Sequence, residues 1–81
     1  MHDEITDQVI LAIKKELRNL ERGPGQRFPL VALVAVRGRF TGEYFGEALK
    51  RLIEQGLVAQ EQGGMGRFLI LTEEGYLWLL K

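Results

Sequence analysis

Six of the eleven basic residues in this 81-residue chain lie between positions 22 and 51: Arg22, Arg27, Arg37, Arg39, Lys50 and Arg51. Only Glu43 and Glu47 oppose them there, so that segment carries +4, while residues 1–21 and residues 52–81 carry −2 each. Guanidinium and ammonium groups gathered on one segment suit phosphate neutralisation, which positions a protein on a nucleic acid. Arg67 follows a glycine-rich stretch, Gly63-Gly64-Met65-Gly66, and from a hairpin tip it would reach a narrow minor groove. Each of these cations fits a solvated, salt-bridged surface equally well. The whole chain is formally neutral, whereas nucleic-acid-binding domains are usually basic.

Other chemistries lack their residues. Cysteine and serine are absent and His2 is the sole histidine, so no Ser-His or Cys-His pair can be assembled. A zinc site would have to be mostly carboxylate, which is unusual. The glycine-rich stretch lacks the Gly-Lys-Ser/Thr end of a phosphate loop. Glu73 and Glu74 form a carboxylate pair, but the start of a helix explains acids there without catalysis. No enzyme, cofactor or metal is expected.

Composition (46% hydrophobic, 27% charged) is that of an ordinary globular protein. The length suits one domain over residues 1–81. No apolar run approaches the 18 residues of a membrane span. The start His2-Asp3-Glu4 has no basic n-region, so no secretory signal is expected and a cytoplasmic protein is.

The elements that must hold the cations follow from periodicity and punctuation. Ile5, Val9, Ala12, Ile13, Leu17 and Leu20 recur at helical spacing over about Glu4–Leu20, with Asp3 as N-cap; Leu11 points the other way and Glu16 falls inside the stripe. Gly23-Pro24-Gly25 ends that helix in a loop. The apolar run Phe28–Val36 reads as a short buried helix with Pro29 at N1 and Gly38 at C′, although Val31, Val34 and Val36 favour a strand. Thr41 is an N-cap, flanked by the staple pair Phe40 and Phe45. The helix it opens buries Phe45, Ala48, Leu49, Leu52 and Ile53, and stops at Gly56. Leu57–Gln60 and Phe68–Leu71 read as the strands of a hairpin whose tip spans Gln62–Arg67. A final helix, capped by Thr72 and stapled by Leu71 and Tyr76, runs to Lys81.

An α+β fold of three helices, a two-stranded hairpin and a short C-terminal helix is the winged-helix order. The chain resembles bacterial winged-helix regulators of the multiple-antibiotic-resistance and phenolic-acid-decarboxylase types. The similarity lies in Leu49–Val58 (end of the recognition helix, glycine, first wing strand), Gly63–Phe68 (wing tip) and Leu71-Thr72-Glu73-Glu74-Gly75-Tyr76 (entry to the last helix). It covers about half the chain, from Thr41 onward. The resemblance implies a helix-turn-helix whose second helix, about residues 41–55, enters the major groove of double-stranded DNA while the wing, about residues 61–67, touches the backbone or minor groove. The DNA-contacting residues would be Arg37, Arg39, Thr41, Tyr44, Glu47, Lys50, Arg51 and Arg67. Those regulators carry a further long dimerisation helix; here only about two turns follow Thr72, so no effector pocket between long helices is expected.

Two partners fit this frame. With Phe45, Leu49 and Leu52 turned inward, Glu43, Glu47 and Glu54 occupy the centre of the opposite face, with Lys50 beside them and Tyr44 and Arg51 on one flank. Acids there repel phosphates, though glutamate can accept from a cytosine amino group. The first reading is a DNA-binding regulator; the second is a winged helix that docks on a protein as an accessory subunit or adaptor. A homodimer is also expected. Tyr76-Leu77-Trp78-Leu79-Leu80 point around the whole last helix, so Tyr76, Trp78 and Leu79, with Leu11, would supply a dimer surface.

Overall fold

The computed structural model describes the backbone of residues 2–40, 42–63 and 66–81, and the side chains of residues 4–40, 42–61 and 68–81. Thr41 and the Gly64-Met65 tip lie outside the described residues, as do the side chains of His2, Asp3 and Arg67. Among the described residues the fold is α+β, with four α-helices and a three-stranded antiparallel sheet. Helix α1 spans His2–Leu20, strand β1 Arg27–Pro29, a 3-10 turn Leu30–Leu33, and helix α2 Val34–Arg39. Helix α3 spans Gly42–Glu54, strand β2 Val58–Gly63, strand β3 Gly66–Leu71, and helix α4 Glu73–Leu79. No described helix is long and apolar enough to cross a membrane.

α1 buries the stripe its spacing foretells, with Val9, Ile13 and Leu17 fully enclosed, but near its start Thr6 is buried and Ile5 is exposed. The helix ends where Glu21 takes a left-handed φ of 56°. α3 closes on the opposite side of the core with Phe45, Ala48 and Leu52. Its end is a complete Schellman cap: Leu57 N–H donates to Leu52 O (3.0 Å) and Gly56 N–H to Ile53 O (3.0 Å), with Gly56 at φ 75°.

The run from Phe28 to Val36 corrects the sequence reading twice. It begins as a strand, and the sheet has three strands, in the order β1-β3-β2, rather than the two of a lone hairpin. Phe28 pairs with Leu69 across β1 and β3, and both sink into the core. Pro29 is extended (φ −74°, ψ 146°) and precedes the 3-10 turn, so it is not the N1 residue of a helix. The physical cause is local as well as tertiary: a residue before proline is pushed out of the helical region, and an edge strand tolerates the missing N–H. The run is also not uniformly buried. Leu33 and Val36 are enclosed, but Val31 and Val34 are 70% and 64% exposed. Gly38 lies within α2, which ends at Arg39 with the extended Phe40 as its C-cap.

The hairpin is longer than its apolar residues suggest, because Gln62 pairs with Arg67 and Gly63 with Gly66. α4 stops at Leu79, short of Lys81. Its first turn is capped as expected, with Gly75 N–H donating to Thr72 Oγ1 at 2.9 Å.

Candidate nucleic-acid interface

Five of the six cations of the basic segment stand on β1, α2 and α3, while Arg22 lies in the loop after α1. Arg37 and Arg39 stand on the last turn of α2, both exposed. Cations at a helix C-terminus are favoured by the dipole, which stabilises them there with or without a partner. The Arg39 guanidinium carbon lies 5.8 Å from the centroid of the half-buried Phe40 ring, which limits its sweep.

α3 presents Glu43, Glu47, Lys50 and Glu54 to solvent, opposite its buried face. That arrangement follows from the 3.6-residue period once Phe45, Ala48 and Leu52 are buried. Tyr44 is half-buried on the flank. Arg51 leaves the outward set: its side chain is 30% exposed and its Nη1 lies 3.5 Å from Asp7 Oδ1 on α1. It braces α3 against the first helix. Of the eight expected contact residues, Arg37, Arg39, Glu47 and Lys50 are therefore freely presented, and Tyr44 and Arg51 are partly enclosed. Thr41 lies outside the described residues, and of Arg67 only the backbone position, opposite Gln62, is described.

A further cation, outside those eight, joins them. Arg27 is exposed on β1, its guanidinium carbon 5.2 Å from the Phe68 ring centroid and its Nη1 3.2 Å from Glu61 Oε1. It ties β1 to the middle of the hairpin. Its partners Glu61 and Phe68 also line a groove between α3 and the sheet, with Leu30, Leu49, Ile53, Gln60 and Leu69. Arg27 was visible as one of the six clustered cations, but its site depends on β1 pairing with β3 across about forty residues, and no local pattern shows that. A second depression, lined by Leu30, Val31, Val34, Arg37 and Phe45, is almost wholly apolar apart from its arginine.

On the far side, the expected dimer residues divide. Leu11 is 62% exposed, as its place opposite the α1 stripe requires. Leu79 is buried in the core and so cannot belong to an outer surface. Tyr76 and Trp78 are half-buried, and Leu77 and Leu80 are exposed in their stead. Lys14 Nζ sits 5.4 Å from the Trp78 ring centroid and donates to the main-chain oxygen of Lys81 at 3.3 Å.

No cluster of three or more His, Asp or Glu able to hold a metal occurs among the described residues. No family model, curated protein or solved structure matches the chain, so the functional reading stands on the residues themselves.

Proposed function

We propose that the chain is a winged-helix DNA-binding module, a transcriptional regulator without catalysis. It would insert the outer face of α3 into the major groove of double-stranded DNA and lay the β2–β3 hairpin along the backbone. The observation that carries this reading is topological. β2 packs against α3, which sets the hairpin beside that helix, and α3 is left with one face fully in solvent. Lys50 stands on that face, and Arg37 and Arg39 are exposed at the end of α2, the helix before it, as cations for the phosphates. Glu47 would then be a base-reading acid, accepting from a cytosine amino group.

The second reading, a protein-docking winged helix, is favoured by a different observation: Val31 and Val34 hold an exposed apolar depression beside Arg37, and the centre of the α3 face is acidic. A partner on that side would carry apolar side chains and a carboxylate for Arg37.

Fluorescence anisotropy with a pool of random-sequence duplexes, titrated with salt, separates the two. Phosphate contacts by three or four cations require log K to fall against log salt with a slope of about −3 to −4. A flat salt dependence, or no duplex binding at low salt, would remove the DNA reading and leave the docking one.

A further inference from the structure

We infer that the outer face of α1 is a docking surface for a second copy of this chain, the two helices packing antiparallel about a two-fold axis at Leu11. This pairing needs no DNA, although Asp7 on the surface also contacts Arg51 on the flank of the α3 face. Leu11 is 62% exposed at the middle of a helix running from His2 to Leu20. One and two turns before it on the same stripe stand Asp7 and Glu4; one and two turns after it stand Lys15 and Arg18, all four exposed. An antiparallel pair centred on Leu11 sets the residue k positions after it opposite the partner's residue k positions before it. Lys15 then faces the partner's Asp7, Arg18 faces the partner's Glu4, and the two Leu11 side chains meet. A two-fold axis makes each pair occur twice, so four ion pairs flank one apolar contact. A parallel packing would set acid against acid and base against base.

The charge order along α1 is thus self-complementary in one direction only, and this points to a second copy rather than an unrelated protein. The apolar residues extend the same seam. Leu80 is 63% exposed and lines one cleft with Leu17 and Arg18, so it falls opposite the turn of the partner helix that holds Glu4 and Ile5. Ile5 is itself exposed, at 36%. Lys14 is held over Trp78 and against the oxygen of Lys81, which fixes the α4 end beside α1. The Asp7 carboxylate, 67% exposed, also meets Arg51 of its own chain, and has a second oxygen for the partner's Lys15.

The test uses the full chain without DNA, in sedimentation velocity over about 1 to 500 µM, the range of a modest helix-pair interface. The expected result is a concentration-dependent rise from 9.2 kDa towards twice that mass. Asp7→Lys and Lys15→Glu should each weaken association by about tenfold or more, because each turns two attractive pairs repulsive. Mixed in equal amounts, the two variants should associate with each other, since a mixed pair restores opposite charges at both positions. Leu11→Glu, at an exposed site, should leave the circular-dichroism spectrum unchanged and abolish the dimer. A parent that stays monomeric throughout, a dimer indifferent to Leu11→Glu, or single variants that fail to rescue each other would each overturn the proposal.

Discussion

The α-carbon of Gly75 packs so closely against the main chain of Leu57 that a Cβ there would overlap the Leu57 carbonyl oxygen and crowd Leu71 Cδ1. The first turn of α4 is thereby pressed onto the corner between α3 and β2. Elsewhere in an exposed helix, glycine to alanine gains up to about 1 kcal/mol. Here Gly75→Ala should lose about 3 kcal/mol or more, because the backbone of Leu57 or the whole of α4 must shift. Urea denaturation measures it; an unchanged or raised midpoint would mean that α4 does not rest on Leu57.

Thr72 locks the same corner from the side chain. Its Oγ1 accepts from Gly75 N–H and lies 2.6 Å from Gly56 O and 2.9 Å from Leu57 O, so its one proton is shared between two carbonyls. Its own N–H donates to Leu57 O at 3.2 Å. Thr72→Val keeps the shape and removes the hydroxyl, and should cost about 1–2 kcal/mol. Thr72→Ser keeps the hydroxyl and should cost about 0.5 kcal/mol or less. A loss in Thr72→Ser larger than that in Thr72→Val, measured by thermal denaturation, would show that the methyl group rather than the hydroxyl matters.

These two residues mark how far the sequence was legible. The threonine was readable as a cap, because capping is a local rule that needs only the residues around it. The glycine three positions on was readable only as part of a family-like string, since its reason is a main chain folded against it from eighteen residues earlier. β1 was lost for the same cause: Phe28 is a strand residue because Leu69 lies beside it, while its apolar neighbours fit a helix as well. Phe28-Pro29 held the missed clue, since the residue before a proline avoids helix. Around the candidate site, the outward placing of Glu43, Glu47 and Lys50 followed from period alone. Arg51 on the flank of that face did not, because Asp7 draws it towards α1. Leu79 went astray in a run of apolar residues that carries no periodicity to say which members face in.

Arg51 is expected to act as a brace. In a double-mutant cycle with Asp7→Ala, Arg51→Ala should show a coupling of about 0.2–1 kcal/mol, small because the Asp7 carboxylate is largely in water. Any loss of DNA affinity in Arg51→Ala should be uniform across duplex sequences. A loss of about 1–3 kcal/mol confined to one base pair of the site would return Arg51 to base reading.

Arg37→Ala and Arg39→Ala should each weaken duplex binding about equally for all sequences and lower the salt slope by about 1. Neither side chain is buried, so folding stability should change by no more than about 0.5 kcal/mol. Anisotropy at several salt concentrations, beside a melting curve, reads both. A variant that binds like the parent with an unchanged slope would place α2 away from the phosphates.

Glu47 decides what α3 does. It stands fully outward, one turn before Arg51 and three residues before Lys50, and it contributes nothing to the buried face. If the α3 face enters the major groove, a carboxylate there pays a repulsion to every nearby phosphate, which only a specific acceptor role can offset. Glu47→Gln removes that repulsion while keeping the shape and the acceptor oxygen. The expected outcome is binding to random duplexes that is tighter by about two- to fivefold at low salt, with discrimination between sequences reduced. Tighter binding with discrimination intact would mean that Glu47 borders the groove without reading a base. Affinity unchanged at every salt concentration would mean that α3 does not face DNA at all, and the acidic face would then belong to the protein-docking reading.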